Sequence, residues 1–334
     1  MGDPRRKEEM DRKRIGTARF SVASAVALAA SKLVVGFLSG SLGVLASAFD
    51  NLADILMSGV NYVSIKKSME PADTSHPYGH GKVETLGTAF MSIVIALTGG
   101  WIVWEGVRRL QAGIVPRSVD IGLVVMALSV AASWFISERI RKAGEETGSS
   151  ALTADSLHFR TDVWSGGGIL LSLVLYRITG WRWLDPGVAL AVGIYIVSAA
   201  LPVFREAVDD LADRSLPPET VERIRDVIES HRPLVVDYHA LRTRRSGPEK
   251  QVDFHVVICR KYLLEDAHRL ADHLEKEVSR TLGGAHVVSH IDPCDTECPG
   301  KEKCERILQE VRMLGGEGPE RKEAGREAPA GHPL

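Results

Sequence analysis

Six long apolar runs occupy the first two thirds of this chain and constrain its fold more than any other feature. About 20 predominantly apolar residues are enough to cross the hydrocarbon core of a bilayer as an α-helix. A single run could be a buried core helix, but six in succession, several nearly free of charge, predict a helical membrane domain. The runs are Ile15–Leu38, Ser41–Ile65, Leu86–Val107, Ile121–Ser137, Ala151–Tyr176 and Leu184–Phe204.

The distribution of basic residues predicts the orientation of the six spans. Cytoplasmic segments next to membrane spans carry an excess of Lys and Arg. Such residues are plentiful in the tail at 1–14, and more follow the second and fourth runs at Lys66, Lys67, Arg139, Arg141 and Lys142. We therefore expect residues 15–208 to cross the inner (plasma) membrane six times, with both termini in the cytoplasm.

Residues 209–293 have the composition of a soluble domain. The expected elements, in order, are a helix from Pro218 to about His231, strands over Val235–Thr243 and Gln251–Cys259, a helix over Leu263–Leu282 and a strand over His286–Ile291. The apolar face of the second helix comprises Leu264, Ala267, Leu270, Ala271 and Leu274. The order α-β-β-α-β predicts one sheet covered by two helices. The Gly-, Glu- and Pro-rich remainder, 294–334, is expected to be a disordered tail.

Several classes of partner are not indicated. The formal net charge of −2 indicates no nucleic-acid-binding surface. The chain contains no Gly-x-x-x-x-Gly-Lys-[Ser/Thr] sequence, so a nucleotide-driven pump of the P-loop type has no support.

Two pairs of ionisable residues interrupt the apolar runs. Asp50 and Asp54 stand four residues apart in the second run, and His158 and Asp162 stand four apart at the start of the fifth. Residues at i and i+4 share one face of a helix. A carboxylate at membrane depth costs roughly 2.5–3.5 kcal/mol on insertion scales, so something must compensate it. Three carboxylates and one imidazole fit a tetrahedral divalent metal such as zinc.

The alternative is a structural role for the same residues. Interhelical hydrogen bonds, or an ion pair with Arg160, could hold them without a metal. Three acids at matched spacing exceed what one arginine can neutralise, so the sequence favours the metal site.

Three further sets of possible ligands lie outside the spans. The loop after the second run holds Asp73, His76 and His80, which could close around a metal or could simply form a polar loop. The soluble domain holds His239, His255, His268, His290 and Asp292, mostly at strand ends. Cys294, Cys298 and Cys304 lack standard zinc-finger spacing, so free thiols are favoured over a soft-metal site.

The whole pattern resembles the cation diffusion facilitator family over about residues 12–295. It is most similar to the bacterial ferrous-iron/zinc efflux subgroup. The resemblance depends on the two ligand pairs and on three strings: Ser75-His-Pro-Tyr-Gly-His-Gly-Lys82, Leu241-Arg-Thr-Arg-Arg-Ser-Gly247 and His290-Ile-Asp-Pro-Cys294. It implies an α-helical membrane protein of six transmembrane helices. The cytosolic domain would be a C-terminal α+β, ferredoxin-like (metallochaperone-like) αββαβ fold.

The resemblance also implies a function and three kinds of metal site. The protein would be a homodimeric metal/proton antiporter and not an enzyme, with Zn²⁺ as substrate and regulatory ligand, and with Cd²⁺, Fe²⁺ or Co²⁺ also possible. The transport site would comprise Asp50, Asp54, His158 and Asp162. The loop site would comprise Asp73, His76 and His80. A binuclear site at the dimer interface would comprise His239, His255, His268, His290 and Asp292. Lys82 and Asp213 match the positions of a charge interlock across the dimer.

Protons and metal would compete for the transport site, because ligation needs a neutral imidazole and ionised carboxylates. The competing class of function is a metal-gated channel, or a membrane-bound metal sensor with the soluble domain as detector. A channel would show no stoichiometric proton countermovement, and a sensor would bind metal without moving it.

Overall fold

The computed structural model describes residues 4–39, 42–112, 120–181, 183–232 and 234–294. Six long helices come first: α1 Pro4–Ser39, α2 Leu42–Ser68, α3 Lys82–Ala112, α4 Asp120–Thr147, α5 Ser150–Thr179 and α6 Leu184–Leu211. A smaller domain follows, with α7 Pro218–Ser230, β1 Val235–Ser246, β2 Glu249–Ile258, α8 Leu264–Thr281 and β3 His286–Pro293. The order of its elements confirms the predicted α-β-β-α-β pattern. The predicted disordered tail beyond Cys294 lies outside the described residues.

The long helices form a bundle whose outer surface is apolar. Helix α3 packs along α6, α4 along α5 and α1 along α2, while α2 also contacts α5. Small and aliphatic residues such as Ala18, Ala25 and Ile140 fill the interior. Large apolar side chains point outward along most of the helices, among them Leu56, Leu97, Trp101, Leu128, Phe135 and Ile194. Such a surface suits lipid and not water, because large exposed apolar patches are rare on soluble monomers.

By length and composition, three of the described helices can cross a membrane. They contain the segments Lys7–Val34, Lys82–Gln111 and Pro186–Leu211. Helices α2 and α5 carry the aspartates and the histidine identified from the sequence. These ionisable residues lower the mean hydropathy of the apolar segments that contain them. The protein therefore has a helical transmembrane domain, and the prediction of six spans stays a prediction.

The smaller domain has a core of its own, beneath one face of a three-stranded sheet. The strand order is β1-β2-β3, with β1 and β2 antiparallel and β2 and β3 parallel. The buried core residues come from both helices and from the strands: Ile224, Ile228, Val252, Phe254, Val256, Leu274 and Val278. The predicted apolar face of α8 is present at Ala267, Ala271 and Leu274. Leu264 was wrongly included in it, because this first residue of α8 is 84% exposed.

Candidate metal sites

Three of the four residues predicted as transport ligands come together where α2 faces α5. The side chains of Asp54, His158 and Asp162 each offer a ligand atom, and these atoms all lie within 4.8 Å of one another. His158 Nε2 is 3.1 Å from Asp54 Oδ1. Both side chains are largely buried, with 12% and 16% exposed. Carboxylate and imidazole ligand atoms this close together can bind a cation between them.

Asp50 lies one turn before Asp54 on α2, and its side chain is outside the described part of the structure. Helical geometry places residues at i and i+4 on the same face. The backbone position of Asp50 is therefore compatible with the predicted fourth ligand.

A buried polar group adjoins the cluster, and the sequence analysis missed it. Asp155 is three residues before His158 on α5 and is fully buried. Its Oδ1 atom is 3.5 Å from the hydroxyl of Ser58, which accepts a 3.0 Å hydrogen bond from the hydroxyl of Ser21. The side chain of Asn61 is also fully buried, and its polar atoms have no hydrogen-bond partner among the described residues. The signal was present, because ionisable residues within a span are functional by default.

The loop residues Asp73, His76 and His80 also come together. His76 Nδ1 is 3.3 Å from Asp73 Oδ1, and His80 Nε2 is 3.4 Å from Asp73 Oδ2. Backbone N–H groups of His76 and Ser75 donate to Asp73 and hold the pKa of its carboxyl below its usual range. The buried ring of His80 places Nδ1 3.2 Å from the Pro71 carbonyl. A carbonyl can only accept, so Nδ1 carries the proton and Nε2 is left free to bind a metal.

Three of the cytosolic histidines form a row across the sheet. His239 pairs with His255 between β1 and β2, and His255 pairs with His290 between β2 and β3. Neighbouring residues of the same register lie side by side on one face, and the ring centroids are 4.9 and 4.8 Å apart. Asp292 lies two residues beyond His290, and its carboxylate is 3.0 Å from His255 Nδ1, 3.4 Å from His239 Nε2 and 3.5 Å from His290 Nε2.

His268 does not join this row. It is exposed on α8, and no ion pair or ring contact connects it to the other four residues within the described ranges. Within a single chain, the structure therefore brings together four of the five residues predicted as ligands. The physical reason is that α8 belongs to the helical layer, whereas the other four residues belong to the strands.

The predicted charge interlock forms within one chain. Lys82 Nζ donates to Asp213 Oδ1 at 2.7 Å, and Arg244 Nη1 lies 3.2 Å from Asp213 Oδ2. The resemblance implied a contact across a dimer, but a second copy is not needed to form it. The hydrogen bond from Lys82 lowers the pKa of Asp213. The side chains are about a third to a half exposed, so the pair contributes at most about 1 kcal/mol.

The interlock is insensitive to physiological pH. A carboxyl group whose pKa is lower in the folded state stabilises the fold above its unfolded pKa, and this stability is lost as the pH falls through the folded pKa. For Asp213 that loss lies below about pH 4. Any change in activity between about pH 5 and 8 therefore has another origin, such as a histidine.

The same region brings two glycines into close contact. Gly81 and Gly247 join the loop that precedes α3 to the β1–β2 hairpin of the smaller domain. A Cβ atom on Gly81 would lie 2.4 Å from the carbonyl oxygen of Ser246. Gly247 has a φ of +61°, and a Cβ there would lie 2.7 Å from the carbonyl oxygen of Gly81. The membrane domain and the smaller domain thus meet backbone to backbone beside the loop cluster.

A buried ion pair that was not expected from the sequence lies in the first turn of α3, two residues after Lys82. Glu84 is fully buried and pairs with the buried Arg14 of α1. Its Oε1 atom accepts a 2.5 Å hydrogen bond from the Ser149 hydroxyl, and its Oε2 atom accepts one of 3.2 Å from Ser68. Arg14 also reaches Asp11 at 3.0 Å. This network ties together the ends of α1, α2 and α3 and the start of α5.

Of the four cysteines, the structure describes two. Cys259 and Cys294 are buried and form no disulfide. Cys298 and Cys304 lie outside the described residues, so the structure does not bear on a soft-metal site there.

Comparison with known proteins identifies the family to which both domains belong. The family model for the cation efflux transmembrane domain matches residues 18–212, and the model for the cytoplasmic domain of cation efflux proteins matches residues 216–294. The cation-efflux pump FieF of Escherichia fergusonii is 34% identical over 263 residues, which cover 79% of this chain and 87% of the relative.

Two other relatives match as broadly. FieF of Serratia proteamaculans is 34% identical over 271 residues, covering 81% of this chain and 90% of its own length. An uncharacterised transporter of Synechocystis is 30% identical over 281 residues, covering 83% and 90%. These matches span both domains and confirm the resemblance seen in the sequence. The chain therefore belongs to the cation diffusion facilitator family, and it is a membrane cation-efflux transporter and not an enzyme.

Proposed function

We propose that this protein is a homodimeric antiporter that exports a divalent cation from the cytoplasm in exchange for protons. The observation that carries the proposal is the buried cluster of Asp54, His158 and Asp162 between two helices of the transmembrane domain. Asp50 supplies the fourth ligand. One imidazole and three carboxylates suit Zn²⁺, and they also accept Cd²⁺, Fe²⁺ and Co²⁺.

Proton coupling follows from the chemistry of these ligands. Metal binds the neutral imidazole and ionised carboxylates, so protons and metal exclude each other. A histidine with an ordinary pKa near ~6.5 changes charge over the pH range found on the two sides of a cell membrane. Facing the cytoplasm, the site loses protons and takes up metal; facing outward, incoming protons displace the metal. Rocking of α2 and α5 relative to the other helices alternates the access.

The proposal includes the setting of the protein in the membrane. Six helices cross the inner (plasma) membrane, with both termini and the smaller domain in the cytoplasm. The second family model is named for dimerisation, which supports a homodimer. In the dimer, His268 of one copy would reach the histidine row of the other and complete a binuclear site. Asp73, His76 and His80 form a weaker loop site beside the contact between the two domains.

Purified protein in liposomes tests the antiport. The vesicles contain a zinc-sensitive dye and a pH-sensitive dye, and zinc is added outside under an imposed pH gradient. An antiporter moves zinc and protons in opposite directions with a fixed ratio. Zinc flux without proton countermovement would indicate a channel, and zinc binding without flux would indicate a sensor. Either outcome would refute the proposal.

Replacement of His158 by aspartate is expected to change the preference among metals. The variant site would hold only oxygen ligands and would therefore be harder than the native site. We expect cadmium transport to fall more than zinc transport, and the proton coupling to change. The measurement is the ratio of the two fluxes in the same vesicles. An unchanged ratio would argue against direct ligation by His158.

The smaller domain is expected to be stabilised by zinc. It can be studied alone as residues 209–292, because its core is built from its own residues. A metal that binds only the assembled form stabilises it by about 2.7 kcal/mol at one hundred times its dissociation constant. We expect zinc to raise the melting temperature and to favour the dimer, and the effect to vanish when His255 and His290 are both changed to alanine. An unchanged melting temperature for the unaltered domain would contradict a regulatory site there.

A further inference from the structure

A second group of potential ligands lies on the helices of the cytoplasmic domain, apart from the histidine row on its strands. His231 immediately follows α7, while His273 and Glu277 stand one turn apart on α8. Their ligand atoms all lie within 4.8 Å of one another. His231 Nε2 is 3.1 Å and His273 Nε2 is 3.3 Å from the same oxygen, Glu277 Oε2.

The orientation of His231 is fixed from behind. Its Nδ1 atom is 2.8 Å from the carbonyl oxygen of Val227, one turn back in α7. That oxygen can only accept, so Nδ1 carries a proton and Nε2 keeps its lone pair in the neutral ring. The side chain is only 14% exposed. An imidazole held by one nitrogen on a backbone carbonyl, with the other nitrogen aimed at further ligands, is the usual arrangement around bound metals.

A metal accounts for this geometry directly. With Nδ1 of His231 donating to the Val227 carbonyl, the lone pair of Nε2 in the singly protonated ring faces a carboxylate oxygen 3.1 Å away. A cation between the two atoms would make this contact favourable. The Nε2 atom of His273 faces the same carboxylate oxygen, so it would be a second nitrogen ligand for such a cation.

We propose that His231, His273 and Glu277 bind a divalent transition metal such as Zn²⁺, in a site separate from the histidine row. Two imidazoles and one carboxylate form a common zinc ligand set that leaves a position for water. The metal joins the end of α7 to the middle of α8, the two helices that cover the sheet. It therefore holds the helical layer of the domain together and adds one metal-binding site per chain to those of the transport pathway.

The first test is the number of zinc ions bound by the full-length protein. The purified protein in detergent is stripped with a chelator, dialysed against zinc and analysed for bound metal. His273→Ala and Glu277→Gln are each expected to bind one zinc ion fewer per chain than the unaltered protein. The matched control is His286→Ala, which removes an exposed histidine at the start of β3 that belongs to no ligand cluster among the described residues. Equal binding by His273→Ala and His286→Ala would overturn the proposal.

A spectroscopic test identifies the ligand itself. Cobalt replaces zinc in such sites, and a thiolate bound to cobalt gives an intense near-ultraviolet band. His273→Cys is expected to gain this band, whereas His286→Cys is expected to match the unaltered protein. The side chain of His273 is 61% exposed, so the substitution should not prevent folding. The absence of an added band in His273→Cys would show that its side chain does not reach a metal.

Discussion

Alanine at Asp54 or Asp162 is expected to reduce metal efflux by about 100-fold or more. Loss of a residue that only supports a ligand already costs about 10–100-fold in metal affinity or activity, and these two aspartates are proposed as ligands themselves. Efflux is measured as zinc flux into dye-loaded liposomes. Near-normal flux in both variants would show that the intramembrane cluster is not part of the transport pathway.

Both variants should remain folded, so a loss of flux would result from loss of the metal site and not from unfolding of the protein. In the absence of metal, each aspartate is a buried carboxylate near other acids, which disfavours the folded state. We therefore expect the melting temperature of the metal-free variants to equal or exceed that of the unaltered protein. Asp209→Ala is the matched control, because it removes a half-exposed carboxylate at the end of α6 that pairs with Arg214. It should keep normal flux.

Removal of one partner from the buried Arg14–Glu84 pair is expected to destabilise the protein by about 3–5 kcal/mol, since an uncompensated buried charge is left behind. Arg14→Met is the sharpest form of this change. Within the described ranges, it leaves the fully buried Glu84 with only the hydroxyls of Ser68 and Ser149 and a backbone N–H as partners. Thermal unfolding of the full-length protein in detergent measures the loss.

The second half of this experiment tests the pairing itself. Replacing both members of a buried ion pair with neutral residues of similar shape is often close to neutral in free energy. The double variant Arg14→Met, Glu84→Gln is therefore expected to recover most of the stability lost in Arg14→Met. If the effects of the two single changes simply add, the residues are not coupled, and the network is not what joins the helix ends.

The sequence predicted the elements of the smaller domain to within a few residues. The spacing of its apolar residues and the positions of its turn residues indicate the same element boundaries. The sequence also predicted that Asp54, His158 and Asp162 would lie close together, since i and i+4 pairs on two helices need only one close helix contact. It placed His268 in a helix and the other histidines of the set at strands, but spacing along the chain could not show which of these residues converge.

Contacts between distant segments were the least predictable. Nothing in the local sequence of Arg14 or Glu84 distinguishes a buried ion pair from two surface charges. The cluster of His231, His273 and Glu277 was missed for a similar reason, since it joins the residue after one helix to the middle of another. Asp155 is different, because its position in an apolar run indicated a functional residue. Its neighbours Ser58 and Asn61 could not be predicted, since they come from another helix.

The close sequence of contacts around the start of α3 restricts where the chain can change in length. His80 belongs to the loop cluster, Gly81 touches the hairpin, Lys82 pairs with Asp213 and Glu84 pairs with Arg14. Each added residue turns the following part of a helix by about 100°. A single insertion between Lys82 and Glu84 would therefore keep one set of partners and lose the other, whereas an insertion between Ser68 and Pro71, after the end of α2, would shift no helical phase. We therefore expect related chains to vary in loop length there, but not across residues 80–84.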